Sequence, residues 1–274
     1  MGLSRWSFLS SLSVVVVFGA MEYGQAAIDR KSEWITPKAS EKNAGKDAVK
    51  PVAGVKPGKS VSIQQTMIAL ELPFENRIAA LRAQGPQGYK NLRDIMFGRD
   101  SKIDSRWRAT MALGRIGGRF SLPELERASK ASVWELRSAA LIAVSRIDRA
   151  TASKWSRRLL QDKALLVRLT AVETLETVGD RAAIPELWAQ LDSRQNFKGS
   201  RSLFIRRRIV EALTKLESPT ATARFARLLE EEDPQIHRSA ILALEKLTGQ
   251  TMGKPSDPLS RRRALWQQWQ STQG

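Results

Sequence analysis

Between Arg106 and His237 the chain repeats itself, and that periodicity narrows its possible folds more than any other feature. Aligned on Arg106, Arg137, Arg168, Arg206 and His237, the segments step by 31, 31, 38 and 31 residues. Three residues after each anchor stand Ala109, Ala140, Ala171, Ile209 and Ala240. Six after come Ala112, Ala143, Thr174, Ala212 and Ala243, and seven after come Leu113, Val144, Leu175, Leu213 and Leu244. Ten after stand Ile116, Ile147, Val178, Leu216 and Leu247. Offsets of 3, 6, 7 and 10 fall on one stripe of a 3.6-residue helix, so each unit contributes one amphipathic inner helix. Small residues at two of those places let neighbouring backbones approach. A single unit cannot bury its apolar face, so stacking must do it.

Each unit also has a leading outer helix. Leu122-Pro123-Glu124-Leu125 recurs as Ile184-Pro185-Glu186-Leu187, with proline favoured in the first turn and glutamate suited to the helix dipole. Trp155–Leu160 and Ala221–Leu229 hold the equivalent place elsewhere. Gly117-Gly118, Gly179 and Gly249 follow inner helices, where a C-cap needs a left-handed residue. Upstream, Ser62–Leu70 and Phe74–Ala83 read as short helices, with Ile78 and Leu81 facing inward. Gly85-Pro86-Gln87-Gly88 is expected to break the chain before an outer helix from Tyr89 to Phe97. The expected fold is all-α: a right-handed α-solenoid of five to six helix pairs closed by a C-terminal capping helix.

This arginine-led inner helix, as in Val167-Arg168-Leu169-Thr170-Ala171 running on to Leu175 and Val178, resembles HEAT repeats in their short, bilin-lyase-type form, over residues 88–249. An acid lies six before the anchor in three units, at Asp100, Asp162 and Glu231. The resemblance implies that such acids form a ladder with Arg106, Arg137, Arg168 and Arg206 between adjacent units, which makes those residues structural. It implies a scaffold or adaptor as the commonest role. Fold alone does not decide function. The alternatives are a nucleic-acid-binding protein or a HEAT-like DNA-alkylation glycosylase, and next a bilin lyase. The paired His-Glu motifs of HEAT-like hydroxylases are missing, since the single histidine is followed by Arg238.

The ends of the chain read differently. Arg5, the apolar stretch Phe8–Met21 and the small-residue zone Gly24-Gln25-Ala26-Ala27 look like an export signal over residues 1–27, cleaved or kept as an N-terminal anchor. The apolar stretch is short against the roughly 20 residues needed to span a bilayer. Residues 28–60 carry seven lysines and Arg30 against four acids, with little to bury, and read as a disordered basic linker. Residues 61–87 are expected to cap the solenoid. After a Gly/Pro linker, 250–274 holds a helix from Leu259 to Gln270, whose Leu265, Trp266 and Trp269 make one apolar face that caps the last repeat or grips a partner. Export implies a periplasmic or envelope location. The chain has no cysteine, which excludes disulfides, thiolate chemistry and a lipoprotein anchor.

A formal charge of +17, from 45 Lys and Arg against 28 Asp and Glu, biases the protein toward anionic partners. Offsets 1, 2, 5, 8 and 9 of the inner helix are expected to line the concave face. At offset 9 stand Arg115, Arg146, Thr177, Lys215 and Lys246, with Arg108 and Arg208 at offset 2 beside them. One cation per unit could engage an acidic peptide, a glycan or a phosphate backbone, though Glu211–Lys215 pairing and Glu173, Glu176 and Glu245 dilute that field. Trp107, expected to turn from the core beside Arg108, suits an interface or covers the solenoid end. Trp134, Trp155 and Trp188 read as packing residues. The 38-residue step places a seven-residue insertion within Ser193–Ser202, where Arg194, Phe197, Lys198 and Arg201 are candidate partner contacts. A protein partner is expected, with an anionic glycan or membrane surface as further candidates and nucleic acid disfavoured by export. No catalytic constellation, cofactor motif or metal-ligand spacing stands out.

Overall fold

In a computed structural model of the chain, residues 61–273 are described; the expected signal segment and basic linker lie outside them. The described chain is an all-α solenoid. Helices α1 (Ile63–Glu71) and α2 (Phe74–Ala83) open it. Five outer–inner pairs follow: α3 (Gly85–Phe97) with α4 (Ile103–Gly117), α5 (Leu122–Ala128) with α6 (Trp134–Ser145), and α7 (Arg149–Leu159) with α8 (Leu165–Val178). Next come α9 (Ile184–Leu191) with α10 (Phe204–Leu216) and α11 (Thr222–Arg227) with α12 (Pro234–Thr248). Helix α13 (Leu259–Gln273) ends the described chain.

The inner helices lie side by side in sequence order, α4 on α6, α6 on α8, α8 on α10 and α10 on α12. Their alanines carry the approach: Ala109, Ala112, Ala140, Ala171, Ala212, Ala240 and Ala243 are fully buried. Gly114 shows how tight this is, because a Cβ there would stand 2.9 Å from Ala143 Cβ on the next inner helix. Ser138 and Thr170 add a 2.8 Å hydroxyl–hydroxyl bond between α6 and α8.

Helix starts follow local chemistry. Ser62 and Gln65 form a reciprocal capping box on α1, Asp148 caps α7 and Asp233 caps α12. Gly179 closes α8 in the left-handed region at φ 67°. The Gly85–Gly88 segment does not break the chain as expected. Only Gln84 and Gly85 make the turn, Gly85 with φ 59°, and α3 starts at Gly85 with Pro86 in its first turn. Proline there removes an N–H that a helix start leaves without an intrahelical partner. The C-terminal helix packs on α12 and α11. Trp266 is 0 % exposed and meets Trp269 edge-to-face at 5.2 Å, which seals the last repeat.

Candidate functional site

Three of the anchor arginines, Arg137, Arg168 and Arg206, form the ladder, reaching from their own inner helix to the next unit. Arg137 makes a bidentate pair with Asp162, at 2.7 Å from Nε and 2.6 Å from Nη2, and its Nη1 donates to the Ala131 and Ser132 carbonyls. Arg206 donates to Glu231 at 2.8 Å, to Leu191 O and to Ser202 Oγ. His237, in the last anchor place, hydrogen-bonds the Glu231 carbonyl through Nε2. Asp162 is nearly buried in this rung. Burial pushes its carboxyl up, but the hydrogen bonds from Arg137 and the Ala164 N–H, with the charges of Arg137 and Arg168, outweigh that and hold it below the usual range.

Two expected rungs differ. Asp100 is exposed in the turn before α4 and has no preceding anchor to meet, while Arg106 donates instead to Met96 O at 3.0 Å. Arg168 has no acid ahead of it, because the residue six before Arg206 is Ser200. The insertion replaces that acid. It folds as a 3-10 turn, Arg194–Asn196, and a small hairpin of β1 (Phe197–Lys198) and β2 (Arg201–Ser202), paired Phe197 to Ser202 and Lys198 to Arg201. Asn196, 0 % exposed, accepts from Arg168 Nε at 3.0 Å and donates to Gln190 O at 2.7 Å. Sequence reading missed Asn196. An insertion coinciding with a missing acid ahead of Arg168 was the available signal, since a buried guanidinium requires some acceptor.

The expected concave face is narrower than the helical wheel implies. Offsets 1 and 2 are buried in the middle units (Ser138, Ala139, Leu169, Thr170), and offset 5 is buried early, at Met111 and Ile142. An inner helix here touches two inner neighbours and its own outer helix, which leaves only a thin open strip. Offset 9 stays open along α8, α10 and α12 at Thr177, Lys215 and Lys246, while Arg115 and Arg146 are half-buried.

The basic row is partly engaged within the protein. Lys215 pairs with Glu176 of the preceding inner helix, not with Glu211 as its spacing suggested; Glu211 instead engages Arg208 and Arg207. Arg208 also stands 3.7 Å from Glu176, and Lys246 donates to Thr214 O at 3.2 Å. Arg115 lies 5.8 Å from the Phe74 ring centroid. Arg108 is tied to Asp104 at 2.9 Å and to Leu70 O at 3.2 Å, binding α4 to α1.

Trp107 does not stand free of the core. It is half-buried and packs against it. Trp155 and Trp188 are buried and Trp134 packs partly buried, as packing residues. Within the insertion, Phe197 is half-buried beneath the Arg206 guanidinium, whose carbon lies 4.4 Å from the ring centroid. Arg194, Lys198 and Arg201 are exposed around it. Among the described residues no group of three or more His, Asp or Glu side chains comes together as a metal site. No described helix is long and apolar enough to cross a membrane.

Residues 125–203 match the family described as HEAT repeats, and over that stretch the chain is built of them. A solved complex of CpcE and CpcF of phycocyanin lyase from Nostoc sp. PCC7120 is similar at 15% identity and a TM-score of 0.39, covering 80% of this chain and 98% of that one. A search of curated proteins finds no match.

Proposed function

We propose that this HEAT-repeat chain is an exported, non-enzymatic scaffold that holds a protein or an anionic envelope component along the open edge of its inner helices. The observation that carries this reading is the offset-9 row. It sets Arg115, Arg146, Lys215 and Lys246 on inner helices of a single stack, at a spacing a chain-like partner can follow. Lys215 keeps 59 % of its side chain exposed despite its pairing, and surface pairs of that kind are exchanged for partner contacts at little cost, since each is worth about 0–1 kcal/mol. The net charge of +17 favours encounter with anionic surfaces. Residues 1–27, read as an export signal, support a partner in the cell envelope.

Recovery of partners from the native envelope, compared between wild type and a variant carrying R115E, R146E, K215E and K246E, tests the row. Loss of a specific partner with the helical spectrum intact is expected; unchanged recovery refutes the row as a binding edge. Sequencing the mature N-terminus tests export separately, and an intact Met1 in a cytoplasmic pool overturns it.

A further inference from the structure

One rung of the ladder has too little negative charge. Arg137 and Arg168 flank a single carboxylate, Asp162, and both of its oxygens are taken by Arg137. Arg168 is 3 % exposed and bonds only neutral acceptors: Asn196 Oδ1 at 3.0 Å, the Asp162 and Lys163 carbonyls at 2.8 and 3.2 Å, and the Gln195 carbonyl at 2.6 Å. A guanidinium has five N–H groups, so one Nη2 hydrogen is left over. Burial pulls the Arg168 pKa down, against the opposing charge of Asp162, as expected for a desolvated cation short of counter-charge. Beside it lies an open pocket of about 390 Å³ lined by Gln161, Lys163, Arg168 and Gln195.

We propose that this pocket, at the turn edge of the solenoid under the insertion, binds a single oxyanion group of the carboxylate or phosphate type. The anion supplies the negative charge that Asn196, a neutral replacement for the missing acid, does not. Its elements are a buried guanidinium with a spare donor, a second cation in exposed Lys163, and two glutamines. Charge-assisted hydrogen bonds to such a group are stronger than those to the neutral acceptors that now satisfy Arg168. The site lies beside the insertion and not on the offset-9 row, so it stands or falls independently of the concave-edge reading.

Titration of the full chain with inorganic phosphate and, separately, with acetate tests it, read by calorimetry and thermal shift. Saturable one-site binding of either anion is expected, with the ratio of the two affinities showing which class fits. K163E and Q161E place a carboxylate at the rim and are expected to weaken binding at least tenfold. K90E, which makes the same charge change as K163E at an exposed position on α3, is expected to leave it within about twofold. The proposal is overturned if neither anion saturates, if K163E and Q161E bind like wild type, or if K90E weakens binding as much as K163E.

Discussion

Arg137 and Asp162 show what one rung is worth. Both side chains are almost fully buried, and removing one partner strands the other charge in a low-dielectric site. R137A is therefore expected to lower the unfolding free energy by about 3–5 kcal/mol, measured by urea denaturation. The same pair sets an acid limit. Because the folded-state pKa of Asp162 is depressed, its stabilisation is complete above the unfolded value of about 3.9 and is lost as pH falls through the folded value. Wild type should therefore lose stability below about pH 4 more steeply than D162N, and parallel curves would remove Asp162 from the account. Tyr89 sets a limit at the other end. Burial, then the charge of Glu124 and a 3.4 Å hydrogen bond to it, push its pKa up to about 12. The folded state resists the phenolate, so this contribution is present below pH 10 and disappears between about 10 and 12. Y89F should flatten that alkaline loss in a denaturation series.

Elements meet through small residues. G114V would drive a branched side chain into Ala143, where even a Cβ has only 2.9 Å, and is expected to cost about 1–3 kcal/mol or more by overpacking, seen as a lower urea midpoint. N196A removes the buried acceptor of Arg168 Nε and the donor to Gln190 O. It is expected to cost about 1–3 kcal/mol for the stranded groups, by the same measurement. The inner helices, their anchors and the outer-helix starts at Leu122 and Ile184 were legible in the sequence because a stacked repeat writes its contacts as a fixed spacing. What was not legible is what spacing does not encode. A helical wheel treats every turned-away position as open, yet Ala139 and Thr170 are buried because a second inner helix flanks that side. Lys215 has an acid at i−4 in Glu211, but the acid it takes is across the groove in Glu176. Asn196 belongs to no unit of the repeat, so no offset points to it.

At the scale of the whole molecule, stability is a sum of units and the contacts between neighbours, which makes the ends decisive. Trp266 is the largest fully buried side chain among the described residues, and it belongs to the helix that closes the stack. W266A is expected to cost about 3–5 kcal/mol, with hydrogen exchange accelerating first in α12 and α13. Uniform acceleration along the chain would show instead that the stack opens as a single cooperative block. The three forward links also differ in kind. Arg137 and Arg206 depend on carboxylates, whereas Arg168 is held by an amide and carbonyls that no proton can discharge. Acidification should therefore loosen the link between the second and third repeats, where Asp162 sits, and leave the third and fourth riveted together, a surviving kernel set by one asparagine.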